Sequence, residues 1–221
     1  MRKLIYIIAL TIFSQINSFG QWCCIDTNLI IKDKATTTLR FQIVGATNND
    51  LSTPTQGLCG VRIKFKHKSI GDVTMSLISP GGQKVDLLGP NANARRTDLT
   101  NWNVSFVPCA VTAVPDVGFK QKWDNVQNWG ILGQFYNGTY YPFNGCLEDF
   151  NLGAVNGIWT LTIVDSDLFY DGLVESFCLL FCDDSGVSCN SCSSNGGYFN
   201  LAPIMLCESN DNLNYHSIHK A

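Results

Sequence analysis

The sequence predicts an all-β chain, an antiparallel jelly roll or β-sandwich that ends in a short, irregular, cysteine-rich tail. Three observations carry this. Apolar residues recur with period two in several short runs, Gly- and Pro-rich turns separate those runs, and no amphipathic helix follows the N-terminal apolar stretch. A strand shows such alternation when one side packs on a core and the other meets water.

The elements follow in order. Leu39, Phe41 and Ile43 alternate within 38–44, an opening strand. Val61, Ile63 and Phe65 alternate with Arg62, Lys64 and Lys66, so this strand has a cationic outer face. After the turn at 68–72, Val73, Met75 and Leu77 mark a strand over 73–78. Ser79-Pro80-Gly81-Gly82 makes a tight turn, with proline pre-setting φ and glycine supplying the positive φ that a β-carbon resists, and 85–88 pairs back as a hairpin arm. Residues 89–152 give one short candidate strand, 104–107, among aromatic-rich loops. The clearest strand is 157–165, where Trp159, Leu161 and Ile163 share one face and Thr160 and Thr162 the other. The last is 174–181, anchored by Val174, Phe177, Leu179 and Phe181. Many short strands with such turns point to a sandwich or jelly roll.

Residues 1–20 read as a secretory signal peptide, with basic Arg2-Lys3, an apolar run from Leu4 to Phe13 too short to span a membrane, and small residues before a cleavage point after Gly20. The expected product is secreted, extracellular or on the cell surface of a bacterium, with no membrane span once the signal is removed. Loss of Arg2 and Lys3 makes the chain two charges more acidic than its formal −3. Its basic residues are scattered singly, which excludes a nucleic-acid footprint. From Cys182 onward the composition turns to Ser, Asn, Cys and Gly, so 21–182 is read as the domain. Residues 183–221 are read as a tail, or the start of an incomplete further module.

All ten cysteines, Cys23, Cys24, Cys59, Cys109, Cys146, Cys178, Cys182, Cys189, Cys192 and Cys207, lie in the mature part and are disulfide candidates. Ten cysteines allow about 945 pairings, so connectivity is not legible. Cys189 and Cys192 have CxxC spacing, which also suits zinc or redox chemistry. No second zinc ligand pair of recognised spacing accompanies them, and no βαβ context does either.

Motifs from Ile25 to Phe181 resemble one family. Val61 to Phe65, His67, Gly71-Asp72-Val73, Leu77-Ile78-Ser79-Pro80-Gly81 and Leu87-Leu88 look like its strand, His-to-Gly-Asp turn, strand and hairpin. Gly138-Thr139-Tyr140, Pro142, Leu147 and Phe150 resemble its next segment, and Gly157, Trp159, Leu161, Asp165, Asp171-Gly172 and Leu173 its closing element. The family is the P domain (Homo B domain) of proprotein convertases and related secreted subtilisin-like serine proteases. The resemblance implies a jelly roll of about eight strands, galactose-binding-like in type, that packs against a serine endopeptidase domain and stabilises it. The sequence departs from the family pattern in three places. Phe177 stands where a second Trp is usual, no acidic residue follows Phe106, and 110–135 resembles an insertion.

The expected function is therefore a secreted, non-catalytic module that binds or stabilises a protein partner, a protease or a cell-surface protein, and is associated with proteolysis through a neighbouring domain. The chain is not expected to be an enzyme. It has three histidines, His67, His216 and His219, no Gly-x-Ser-x-Gly elbow and no catalytic triad. Asp165, Asp167 and Asp171, with Asp72, suggest a calcium site, since calcium takes several loop oxygens; a solvated acidic turn is the other reading. Trp129, Tyr136, Tyr140 and Tyr141 are candidate binding residues, either stacking on a glycan, meeting a protein, or filling the core beneath a loop. The alternative function is a calcium-assisted, carbohydrate-binding adhesin module of the cell surface.

Overall fold

In a computed structural model, which describes residues 21–89, 100–110, 123 and 135–190, the chain is a two-sheet β-sandwich. Its strands are β1 (Cys23–Ile31), β2 (Thr36–Val44), β3 (Leu58–His67), β4 (Val73–Ile78), β5 (Lys84–Leu88), β6 (Thr100–Phe106), β7 (Phe135–Tyr140), β8 (Gly157–Asp165), β9 (Gly172–Phe181) and β10 (Ser188–Asn190). One sheet has the order β1-β9-β3-β6-β7 and the other β10-β2-β8-β4-β5. Two 3-10 turns, Ile70–Asp72 and Leu147–Phe150, are the helical pieces among the described residues.

The alternation read from the sequence sets which side faces inward. On β3, Val61, Ile63 and Phe65 are buried, while Arg62, Lys64 and Lys66 stay at the surface. On β8, Trp159, Leu161 and Ile163 are fully buried opposite Phe41 and Leu39 of β2 and Leu77 and Met75 of β4. Trp159 is held edge-on between Phe150 and Phe181, at ring distances of 5.4 and 5.6 Å, and its indole N–H donates to the Val155 carbonyl at 3.0 Å. Each such side chain removed from water contributes about 1.5–3 kcal/mol, and the satisfied N–H avoids the cost of a buried orphan donor.

Residues 174–181 break strict alternation, because Val174 and Phe177 are three apart. The structure shows why. Lys64 pairs with Ser176 and Phe65 with Val174, so Glu175 is the extra residue of a bulge and the inward set resumes at Phe177.

Three strands were not legible in the sequence. β1 mixes polar and apolar residues. β7, Phe-Tyr-Asn-Gly-Thr-Tyr, carries a glycine. β10 is three residues long and lies beyond the expected domain boundary at Cys182. β10 pairs with Gln42–Val44, so the sandwich runs on to Asn190. The sheets are also not wholly antiparallel, since β7 runs parallel to β6, Asn101 opposite Phe135 and Phe106 opposite Tyr140. A parallel pair cannot be joined by a hairpin.

Among the described residues four disulfides brace the sandwich: Cys23–Cys189, Cys24–Cys178, Cys59–Cys182 and Cys109–Cys146. Cys23–Cys189 joins an edge strand of one sheet to an edge strand of the other. Cys192 and Cys207 lie outside the described residues, as do 1–20 and 191–221.

Candidate functional site

Three connections meet at one end of the sandwich: the β1–β2 turn (32–35), the β3–β4 turn (68–72) and the β8–β9 loop (166–171). His67 closes β3 in one sheet and Asp165 closes β8 in the other, and their side chains, 0% and 1% exposed, meet at 3.1 Å between Nε2 and Oδ2. The pair thus ties the two sheets together. His67 Nδ1 faces the backbone of Ser69, with the amide N–H at 3.0 Å and the carbonyl at 2.7 Å. The amide suits a bare Nδ1 and the carbonyl a protonated one. Either way a single proton is shared between Nε2 and Asp165 Oδ2. Burial pushes the Asp165 carboxyl above its usual range, while the Asp167 N–H bonded to it and the His67 ring pull it back down.

The same two ends are sewn together by backbone hydrogen bonds. Asp165 N–H donates to Ala35 O (3.0 Å), Ser166 N–H to Asp72 O (2.9 Å) and Lys34 N–H to Asp167 O (2.8 Å). Asp167 N–H donates to Asp165 Oδ1 (3.0 Å), and Phe169 N–H to Asp33 Oδ2 (3.0 Å). This arrangement cannot work as a nucleophile–base pair. The second nitrogen of His67 is bonded to backbone and not to a hydroxyl, and the ring is sealed from water.

Of the four carboxylates expected to hold calcium, Asp165, Asp167 and Asp171 are close in sequence, and Asp72 lies near enough to act on Asp165, but each of the three loop carboxyls has a partner of its own. Asp165 is committed to His67. Asp171 pairs with Lys68 at 3.0 Å, and Asp167 Oδ1 accepts the Leu168 N–H at 2.8 Å. Among the described residues, no three of these four bring carboxyl oxygens within 4.8 Å of one another. Cys109, Cys146 and Glu148 do lie that close. The two sulfurs are joined as a disulfide, however, and Glu148 accepts the N–H groups of Cys109 (2.9 Å) and Ala110 (2.7 Å), so the trio offers no thiolate to a metal. Cys189, weighed for zinc or redox chemistry, is disulfide-bonded to Cys23.

Of the aromatic candidates, Tyr136 and Tyr140 are buried, 6% and 1% exposed. Tyr136 stacks on Trp102 at 5.9 Å, and Tyr140 meets Trp123 edge-on at 5.6 Å. The reading that fills the core beneath a loop holds for these two, which removes them from any sugar-stacking face. Tyr141 is half-buried, and Trp129 lies outside the described residues.

Sequence reasoning missed the feature that the geometry brings forward. Beside the His67–Asp165 pair is a cleft of about 300 Å³, lined by Ile30, Lys66, His67, Lys68, Asp171 and Leu173 together with the backbone of Gly172. Ile30 is 55% exposed, and the adjoining β8–β9 loop holds Leu168 and Phe169 43% and 78% exposed. Phe169 takes φ +84, a conformation that a bulky side chain resists. The signal was available: Leu168-Phe169 is an apolar pair inside an otherwise polar, acidic loop.

Among the described residues no helix is long and apolar enough to cross a membrane. In comparisons with known proteins, no curated protein matches the chain. Two solved structures of the serine protease of Aeromonas sobria, one of the protease and one of its complex with the chaperone, are each similar at 14% identity and a TM-score of 0.37. Each match covers 73% of this chain but 26% of the protease chain. Residues 59–118, from β3 through β6 and beyond, match the family model of the proprotein convertase P-domain, so the resemblance carried by the sequence motifs holds.

Proposed function

We propose that this chain is a secreted, non-catalytic P-domain module that binds a protein partner, in the manner of the accessory domain of subtilisin-like serine proteases. The observation that carries the reading is the P-domain match over residues 59–118, which falls on a closed sandwich whose one histidine among the described residues is consumed structurally. Four disulfides suit an oxidising compartment, in keeping with export.

Two measurements on the native secreted chain test this. A broad peptidase assay should give no serine-inhibitor-sensitive turnover. Co-expression with a subtilisin-like catalytic domain that lacks its own accessory domain should lengthen that domain's half-life on heating. Turnover by the chain itself sinks the non-catalytic reading, and an unchanged half-life counts against a protease as the partner.

A further inference from the structure

We infer that the Cys24–Cys178 disulfide is a thiol-exchange site, where an incoming thiolate bonds to Cys24 and Cys178 departs as a thiolate beside Arg62. This chemistry is separate from whichever partner the module binds and would stand without it.

Strand register builds the site. On the outer face of one sheet, Cys24 of β1 lies directly opposite Cys178 of β9, and Cys178 opposite Arg62 of β3. Directly opposed residues hold their β-carbons about 4.5–5.5 Å apart, so the Arg62 side chain rises beside the Cys178 sulfur. Arg62 is held there. Its Nε donates to Ser105 Oγ at 3.3 Å, and the Trp22 ring covers the guanidinium at 4.3 Å. Trp22 in turn rests on Gly60, where a β-carbon would come within 2.8 Å of the ring. Lys64, Lys66 and Lys68 are ion-paired with Glu175 and Asp171, whereas Arg62 has no carboxylate partner among the described residues.

Burial chooses the sulfur that is attacked. Cys24 is exposed, whereas Cys178 is 4% exposed. A thiolate from solution therefore reaches Cys24 Sγ. The new S–S bond forms there, the Cys24–Cys178 bond breaks, and its electron pair leaves on Cys178. Charge passes from the incoming sulfur to Cys178, so the thiol itself is the one co-reactant, and the reverse attack by Cys178 releases it. Exchange quickens when the departing thiolate is stabilised, and a neighbouring cation does that.

The fold survives the opening. Cys23–Cys189 pins the same strand one residue away, and the β1–β9 ladder runs on to Ile31. With that bridge in place, Cys24–Cys178 closes only the short span from Cys178 to Cys189, so its loss frees little chain. The other three bridges lack this combination. Cys23 is buried and Cys189 packs on the core. Glu148 sets a carboxylate within 4.8 Å of both sulfurs of Cys109–Cys146, which repels a thiolate. Cys182 is followed at once by Asp183 and Asp184. On the face that carries Cys24, the acid of β1 is Asp26, one row away and opposite Ser176.

The test treats the native chain with graded glutathione after any free thiols are blocked, quenches by alkylation and maps the peptides. The expected result is glutathione on Cys24 and alkylated Cys178, at thiol concentrations that leave Cys23–Cys189, Cys59–Cys182 and Cys109–Cys146 closed. Arg62→Gln should slow the opening about threefold or more, and Arg62→Lys, which keeps the charge, should restore it. Unfolding would speed the opening of every bridge, so a slower Cys24 cannot come from loss of fold. Repeating the reaction with a folded protein that carries one surface cysteine separates the sources of thiol. An adduct with glutathione alone assigns the site to small thiols, and one with both extends it to a partner's cysteine. Another bridge opening first, all four opening together, no opening at all, glutathione on Cys178, or equal rates for wild type and Arg62→Gln would each overturn the site.

Discussion

Gly172 lies against the His67 ring. A β-carbon at position 172 would fall inside van der Waals distance of His67 Cδ2 and 2.6 Å from the Lys66 carbonyl oxygen. The Asp-Gly-Leu run that opens β9 therefore owes its glycine to close packing under a buried histidine and not to a turn. Gly172→Ala should cost about 1–3 kcal/mol by overpacking, a fall in melting temperature of roughly 3–10 °C for a domain of this size. Thermal unfolding followed by circular dichroism checks it. An unchanged melting temperature would mean that the ring is free to move aside.

The His67–Asp165 pair and Glu175 should pull the stability–pH curve in opposite directions. Burial raises the Asp165 carboxyl above its ordinary 3.8, so between that value and the folded one the native chain holds more protons than the unfolded chain. The contribution of this group is complete at low pH and is lost as pH rises through its folded value. The bond from Lys64 leads in lowering the Glu175 carboxyl below its ordinary 4.5, so its contribution is present above that value and fades as pH falls through the folded one. Against wild type, Asp165→Asn should therefore look relatively worse as pH falls towards about 4, and Glu175→Gln relatively better. Parallel curves for all three proteins would show that neither group is linked to folding in this way. His67→Ala, which strands a buried carboxyl, should cost about 3–5 kcal/mol at neutral pH.

Much of the sandwich was legible because its central strands, β2, β3, β4 and β8, bury one face and wet the other, and period two follows directly from that. The edges were harder. β1 and β7 have a neighbour on one side only within their sheet, and β10 contributes three residues, so little of their sequence is constrained by packing. That β7 enters parallel to β6 is something no local pattern encodes. At the candidate site, the aspartates were found by their spacing, but spacing along a loop does not say which way each carboxylate turns. Asp165 faces inward because it is the last inward position of β8, two residues after Ile163; Asp167 and Asp171 follow in the loop beyond the strand, where Asp171 turns to Lys68. The aromatics failed for the mirror reason, because side chains in a weakly patterned segment read as loop residues although Tyr136 and Tyr140 occupy the inward positions of β7.

That assignment separates two neighbouring tyrosines. Tyr140→Ala removes a fully buried ring packed on Trp123 and should cost about 3–5 kcal/mol, whereas Tyr141→Ala, at a half-buried position, should cost well under half of that. Denaturant unfolding of the two variants distinguishes them. Equal, small losses would return Tyr140 to the surface and reopen the sugar-stacking reading.

The disulfide pattern is directly checkable by peptide mapping without reduction, which should recover the linked pairs Cys23–Cys189, Cys24–Cys178, Cys59–Cys182 and Cys109–Cys146. Removing Cys59–Cys182, whose partners are 123 residues apart, should destabilise more than removing Cys109–Cys146, at 37, by about 1 kcal/mol on chain-entropy grounds. The order of the two melting temperatures tests this, and the reverse order would locate the stabilisation in the folded state.

Phe169 gives the last prediction and the sharpest contrast with an ordinary surface residue. A bulky side chain at φ +84 carries a backbone cost of roughly 1–2 kcal/mol that glycine does not, while glycine loses about 0.5–1 kcal/mol through the freedom of the unfolded chain. The ring, 78% exposed, has little burial to forfeit. Phe169→Gly should therefore leave the melting temperature unchanged or raise it by a few degrees, while Phe169→Val, β-branched at the same φ, should lower it. If Phe169→Gly is instead clearly destabilising, the ring is held by packing, and its exposure no longer argues for a partner.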